Sequence, residues 1–150
     1  MSAVWKQRVQ DLINEGRLEQ VLVDQFFLNR LITNSQVNLR DANTLLATGS
    51  LEGAFVLAYS SARIAATAIL YSRGVRPTAR GGHWVVADLL AVVDGVESHV
   101  VSSLNQLRIL RNETEYPQLV SMGVTREVVQ LAFETSQSLV MTCTKLMRKK

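Results

Sequence analysis

Residues 51–71 read LEGAFVLAYSSARIAATAILY, and this stretch decides the fold. It has no proline, and its interior carries apolar residues at helical spacing. Six alanines recur along it: Ala54, Ala58, Ala62, Ala65, Ala66 and Ala68. Small side chains at that density let neighbouring helices approach closely, so this segment is expected to be a central helix. Gly49-Ser50 breaks the chain before it, and a loop with Pro77 and Gly81-Gly82 follows it between Gly74 and Gly82.

The same periodicity continues on both sides. Ser2 suits an N-cap, Val4, Trp5, Val9, Leu12 and Ile13 share one face, and Gly16 suits a C-terminal stop. A second helix is expected from about Leu18 to Ala47, with Leu22, Phe26, Ile32, Leu39 and Leu46 among its apolar positions. After the central helix come a short one over about His83 to Val93, another from Glu97 to Tyr116 stopped by Pro117, and a last one from about Thr125 to the C-terminus. No useful run of alternating apolar and polar residues suggests a strand. Short connections between long helices imply an all-α fold, an antiparallel up-and-down bundle of about five helices. At 150 residues the chain is expected to form one domain with its own core.

Composition narrows the chemistry. The chain is 47% hydrophobic and 19% charged, with a net charge of +3. An anion such as nucleic acid is a fair partner for that balance, which is too small to prove one. From Gly53 to Ala87 the charged residues are Arg63, Arg73, Arg76 and Arg80, without one carboxylate. That cluster reads either as a solvated face or as a ligand patch. Lys145, Arg148, Lys149 and Lys150 complement the dipole of the last helix. Cys143 is the single cysteine, at core spacing, so no intrachain disulfide forms. No signal peptide or membrane-length apolar run is expected, and the default location is the cytoplasm.

Phosphate-binding glycine loops, nucleophile elbows and metal-binding spacings are missing, so neither a cofactor nor a metal is expected. The decapeptide 108–117, RILRNETEYP, holds the strongest polar signal. Arg108, Arg111, Asn112 and Glu115 are spaced to share a helix face, and Arg111 continues the apolar seam of Val100, Leu104 and Leu107. An arginine there faces packed neighbours and needs a carboxylate, carbonyls or an anionic ligand. Two readings stay open: a bridge to Glu115 or another acid, and a phosphate grip. His83, after two glycines at a helix start, reads as a capping or packing residue. His99 lies about 18 Å from Arg111 along one helix, too far to act on it within a subunit.

Residues 45–83, LLATGSLEGAFVLAYSSARIAATAILYSRGVRPTARGGH, together with RNETEYP, resemble the HEPN domains, and most closely the small actinobacterial type found in toxin–antitoxin and defence loci. Three pieces carry the likeness: Gly53-Ala54-x-x-x-Ala58-Tyr59, Gly81-Gly82-His83 and Arg111-Asn112-x-x-x-Tyr116. It covers roughly residues 36–118 and leaves 1–35 as an additional N-terminal helical segment. The resemblance implies a helical bundle that dimerises. It also implies a metal-independent endoribonuclease whose arginine holds phosphate while a histidine, after four to six intervening residues, moves protons at the ribose 2′-hydroxyl.

Arg111 and Asn112 match the start of that signature, whereas the histidine positions hold Tyr116, Pro117 and Gln118. The resulting site is Arg111, Asn112 and Tyr116 for chemistry, with Arg108, Arg111, Arg76 and Arg80 for RNA phosphate and Glu115 and His83 in structural roles. Tyrosine titrates near 10 and is a poor base at neutral pH. Two functions follow. One is an RNA-directed toxin–antitoxin or defence protein with a degenerate ribonuclease motif. The other is an inactive HEPN module binding RNA, a nucleotide or a partner protein. Expected partners are a second copy of the chain, RNA and a cognate toxin or antitoxin such as a nucleotidyltransferase, and no membrane.

Overall fold

The structure, a computed structural model, describes residues 2–115 and 123–148, with the side chains of residues 113–115 outside that description. The described residues contain six helices: α1 (Ala3–Asn14), α2 (Gln25–Ala47), α3 (Leu51–Tyr71), α4 (Gly82–Leu90), α5 (Ser98–Glu115) and α6 (Arg126–Arg148). The fold is all-α apart from two three-residue strands, β1 (Leu18–Gln20) and β2 (Val75–Pro77).

Helix α3 is the centre. Its alanines are all buried, together with Phe55, Tyr59, Ile69 and Leu70. Helices α2 and α6 pack against it most extensively, and α4 and α5 cover the rest. Its length and apolarity would also suit a membrane crossing, but 61% of its most apolar window is buried inside the protein. Burial in the bundle accounts for that composition.

A hydroxyl cluster joins the three long helices α2, α3 and α6. Ser35 on α2, Ser61 on α3 and Ser136 on α6 are all fully buried. The Ser61 hydroxyl donates to the Ser35 carbonyl at 2.6 Å, and the Ser35 hydroxyl donates to the Ser61 carbonyl at 2.8 Å. Ser136 Oγ lies 2.5 Å from Ser61 Oγ, and with the Ser61 proton already committed Ser136 is the donor. Each buried hydroxyl thus has a partner, as a water-free interior requires.

The N-terminal third departs from the sequence expectation in several respects, beginning with Val4, which is exposed although expected on the apolar face of α1 with Trp5, Val9 and Leu12. The expected helix from Leu18 does not form; α2 begins at Gln25. Asp24 is the reason, since its carboxylate accepts the backbone N–H groups of Phe26 and Phe27 at 2.9 and 3.3 Å and caps a fresh helix. Residues 18–20 instead pair antiparallel with 75–77, with Leu18 opposite Pro77 and Glu19 opposite Arg76. Strands this short show no alternation in sequence. The shifted helix start also leaves Leu22 and Phe26 exposed, against the expectation that both lie on the core face, whereas Ile32, Leu39 and Leu46 do pack against the core.

Elsewhere the boundaries agree closely. Ser2 caps α1 by accepting from Trp5 N–H at 3.1 Å, and Gly16 beyond its end has φ +74°. Thr125 accepts from Val128 N–H at the start of α6. Cys143 is buried in α6. Helix α1 joins the same core through Trp5, Val9 and Leu12, and Arg8 ties it to Asp88 of α4 at 2.7 Å.

The Ser61→Ala variant removes the shared donor and leaves the Ser35 carbonyl and the Ser136 hydroxyl short of partners. It is expected to lower stability by about 1–3 kcal/mol in chemical unfolding. A variant as stable as the parent would show that the cluster does not hold the helices together.

Candidate functional site

The three sequence pieces that carry the family likeness lie far apart in the chain, and the fold brings them to one place. Tyr59 comes from the middle of α3, His83 from the first turn of α4 and Arg111 from the last turns of α5. His83 Nδ1 sits 3.2 Å from the Tyr59 hydroxyl, with the two ring centroids 6.0 Å apart. The Arg111 guanidinium lies over the Tyr59 ring, its carbon 5.6 Å from the centroid, a cation–π arrangement. Tyr59 is buried, while His83 and Arg111 are half-buried. Tyr59 is therefore the post against which both His83 and Arg111 are set.

Arg63 completes the cluster. It stands one turn after Tyr59 on α3, and the i, i+4 spacing places the two on one face. Glu52 and Arg63 are the charged residues of that helix. The Arg63 guanidinium is half-buried and has no hydrogen bond or ion pair among the described residues. Burial pulls its pKa below the ordinary arginine value, the nearby Arg111 charge pushes the same way, and Tyr59 opposes them. A guanidinium stays protonated under such pressure, so Arg63 carries a positive charge in this cluster.

Two glycines position His83. A Cβ on Gly81 would fall 2.1 Å from the Arg17 carbonyl oxygen, which is held in place by the Thr78 N–H at 3.0 Å. Gly82 has φ +63°, a left-handed conformation that suits glycine. The turn thus lies tight against the residue that precedes β1 and delivers His83 to Tyr59. Arg17 adds a second tie, with its guanidinium over the Trp84 ring and a hydrogen bond to the Arg80 carbonyl.

The other sequence candidates are spread out. The Arg108 guanidinium donates to Asn105 Oδ1 at 3.0 and 3.1 Å, and it lines a separate groove of about 440 Å³ with Trp84 and Asp88. Asn112 is exposed on α5. Arg76 is paired across the two strands with Glu19, and Arg80 is exposed. His99 is exposed at the other end of α5, 3.2 Å from Glu97. Tyr116 and the side chain of Glu115 lie outside the described residues. Charge patterning groups Arg63 with the loop arginines; its isolation on an alanine helix, one turn from Tyr59, is the signal in the sequence that sets it apart.

With this geometry in view, the family assignment follows. Residues 28–146 match the model of the HEPN domain, so the chain belongs to the HEPN domain family. The fold is similar to that in the crystal structure of TT1696 from Thermus thermophilus, with a TM-score of 0.66 and 24% sequence identity. The match covers 79% of this chain and 96% of that one, and it concerns the fold. Comparison with curated proteins finds no match.

The Gly81→Ala variant must push the α4 turn off the Arg17 carbonyl. It is expected to cost about 1–3 kcal/mol of stability and to displace His83 from Tyr59. Histidine NMR shifts would report the displacement, and unchanged shifts would show that the turn has room to spare.

Proposed function

We propose that this is an RNA-directed HEPN protein that holds the sugar-phosphate backbone at Arg111 and Arg63 and cleaves it without a metal. In this reading His83 moves the proton, in place of the histidine missing from the α5 motif. The observation that carries the reading is Arg63, a half-buried guanidinium without a carboxylate partner among the described residues, set beside Arg111, Tyr59 and His83. A phosphate at Arg63 would give this half-buried cation an anionic partner, its oxygens accepting from the guanidinium.

The chemistry follows from the groups present. The ribose 2′-oxygen attacks the adjacent phosphorus while His83 takes its proton. The new P–O2′ bond forms as the P–O5′ bond breaks, leaving a 2′,3′-cyclic phosphate and a 5′-hydroxyl that takes its proton from solvent. For this step His83 is the tautomer whose Nδ1–H donates to the Tyr59 oxygen, so that Nε2 receives the proton. An imidazole is matched to neutral pH in a way that Tyr116 is not. A toxin–antitoxin or defence role, assembly as a homodimer and a cognate partner such as a nucleotidyltransferase belong to the same proposal and rest on the family resemblance, and a cytoplasmic location is proposed with them.

The alternative is a non-catalytic HEPN module that binds RNA, a nucleotide or a partner protein. It is favoured by the absence of histidine at Tyr116, Pro117 and Gln118.

Incubating the purified protein with total RNA in EDTA separates the two. Cleavage is expected to leave cyclic phosphate ends, to fall about 10²–10⁴-fold with His83→Asn, and to fall with Arg111→Ala because RNA is no longer held. The Tyr116→Phe variant should cut normally. Bound but intact RNA would establish the non-catalytic module, and a folded protein that ignores RNA would overturn both RNA readings.

A further inference from the structure

Helix α1 and the paired strands border a groove of about 560 Å³ that shares no residue with the Tyr59, Arg63, His83 and Arg111 cluster. Its floor is apolar, with Trp5 and Val9 of α1 and Val75 of β2 all buried. Lys6 and Arg73 also line it, and among the described residues no carboxylate does, so the groove is positively charged. Lys6 is exposed and has no ion pair among the described residues. Apart from residues 73–75, the wall comes from residues 5–22, ahead of the family match that starts at residue 28. The groove is therefore a feature that the N-terminal segment adds to the domain.

The strand register decides which backbone groups face it. The Val21 N–H donates to the Gly74 carbonyl at 2.9 Å, and the Thr78 N–H donates to the Arg17 carbonyl at 3.0 Å. Residues 17 and 21 thus turn their polar groups toward β2. By the alternation of an antiparallel ladder, Leu18 and Gln20 turn theirs away from it. Leu18 is buried and Gln20 is exposed, so the open part of the edge lies at Gln20. The Gln20 N–H and C=O have no partner among the described residues. An edge donor and acceptor left this way form a template for another strand.

Leu22 stands two residues further on and is 95% exposed. Its backbone is nevertheless anchored: the Tyr71 hydroxyl accepts from the Asp24 N–H at 2.9 Å and donates to the Leu22 carbonyl at 3.3 Å. A large apolar side chain held out from a fixed backbone, at the rim of a basic groove and next to an open strand edge, suits a partner that can use all three features. A phosphate would use the cations alone. An extended peptide uses the edge through its main chain, Leu22 through an apolar side chain and the cations through a carboxylate.

We propose that β1 takes up an extended acidic peptide of a partner protein as an added strand, paired at Gln20 and seated over the groove of Trp5, Lys6, Leu22 and Arg73. The inference stands apart from the proposed function, because none of these residues belongs to the RNA site.

The test is a fluorescence-anisotropy titration of the full-length protein with peptides of about nine residues, a strand's length, that alternate valine and glutamate. Controls are the valine–lysine counterparts and glutamate peptides N-methylated at alternate residues, which lack main-chain donors. The glutamate peptides are expected to bind at least about tenfold tighter than either control, since the controls lose the charge match or the strand hydrogen bonds. The Gln20→Pro variant removes an edge N–H and no ladder bond, and should weaken the glutamate peptides about two- to tenfold. The Lys6→Glu variant should weaken them about two- to fivefold and strengthen the lysine peptides. His83→Asn and Arg111→Ala should leave peptide binding unchanged.

No binding of the glutamate peptides overturns the proposal, and so does equal binding of the lysine peptides. Equal binding of the N-methylated peptides, or no effect of Gln20→Pro in a variant shown by thermal melting to be folded, overturns strand addition. Should Gln20→Pro not fold, the N-methylated peptides decide the matter on the unaltered protein. Displacement of the glutamate peptides by single-stranded RNA overturns the proposal in favour of a nucleic-acid groove.

Discussion

Everything in this molecule is arranged around the burial of α3. A helix that gives up water on nearly all sides has to present small side chains wherever a neighbour crosses it, and Ala54, Ala58, Ala62 and Ala66 do so at four-residue spacing. Close approach then brings backbone and hydroxyl groups into contact, and Ser35, Ser61 and Ser136 satisfy one another there. An interior of alanine and serine leaves little room for alternatives, because any larger side chain forces whole helices apart. The long helices α2 and α6 are held in register by that fit.

A helix so enclosed is a costly place for charge, which gives Arg63 and Tyr59 their meaning. Tyr59 keeps its hydroxyl satisfied by His83 and offers its ring face to Arg111. The nearby Arg111 charge disfavours that of Arg63, which burial already disfavours. The protein thereby holds cationic groups at the edge of its core, where a phosphate meets less competition from water than it would at an open surface. Under the proposed function, the packing of α5 against α3 sets the spacing at which the two groups would meet a phosphodiester.

The remaining elements serve to deliver His83. The β1–β2 pair is too small to be an independent sheet, yet it anchors the chain before and after the core helix. Gly81 lies against the Arg17 carbonyl at a distance no side chain tolerates, and Gly82 turns the chain into α4 through positive φ. The Arg17–Trp84 stack and the Arg8–Asp88 pair hold the same helix from the N-terminal side. Residues outside the family match thus help to position a residue within it.

Sequence periodicity and capping by themselves determined the helical fold, the span 51–71 of the central helix and the seam through Val100, Leu104 and Leu107, all of which are buried. These are local properties: the spacing of apolar residues and the chemistry of Ser2, Thr125 and the glycines act within a few residues. The start of α2 escapes such reading because the apolar pattern runs on through the Asp24 cap and because strands of three residues leave no alternation to detect. The family pieces around Tyr59, His83 and Arg111 are legible as separate motifs, while their roles are not. Periodicity places a residue on a face without saying what lies opposite. Only the tertiary structure decided that those three motifs share one cluster, that Arg63 joins them and that Arg108 points elsewhere, because such contacts arise from the packing of α3, α4 and α5 across tens of intervening residues.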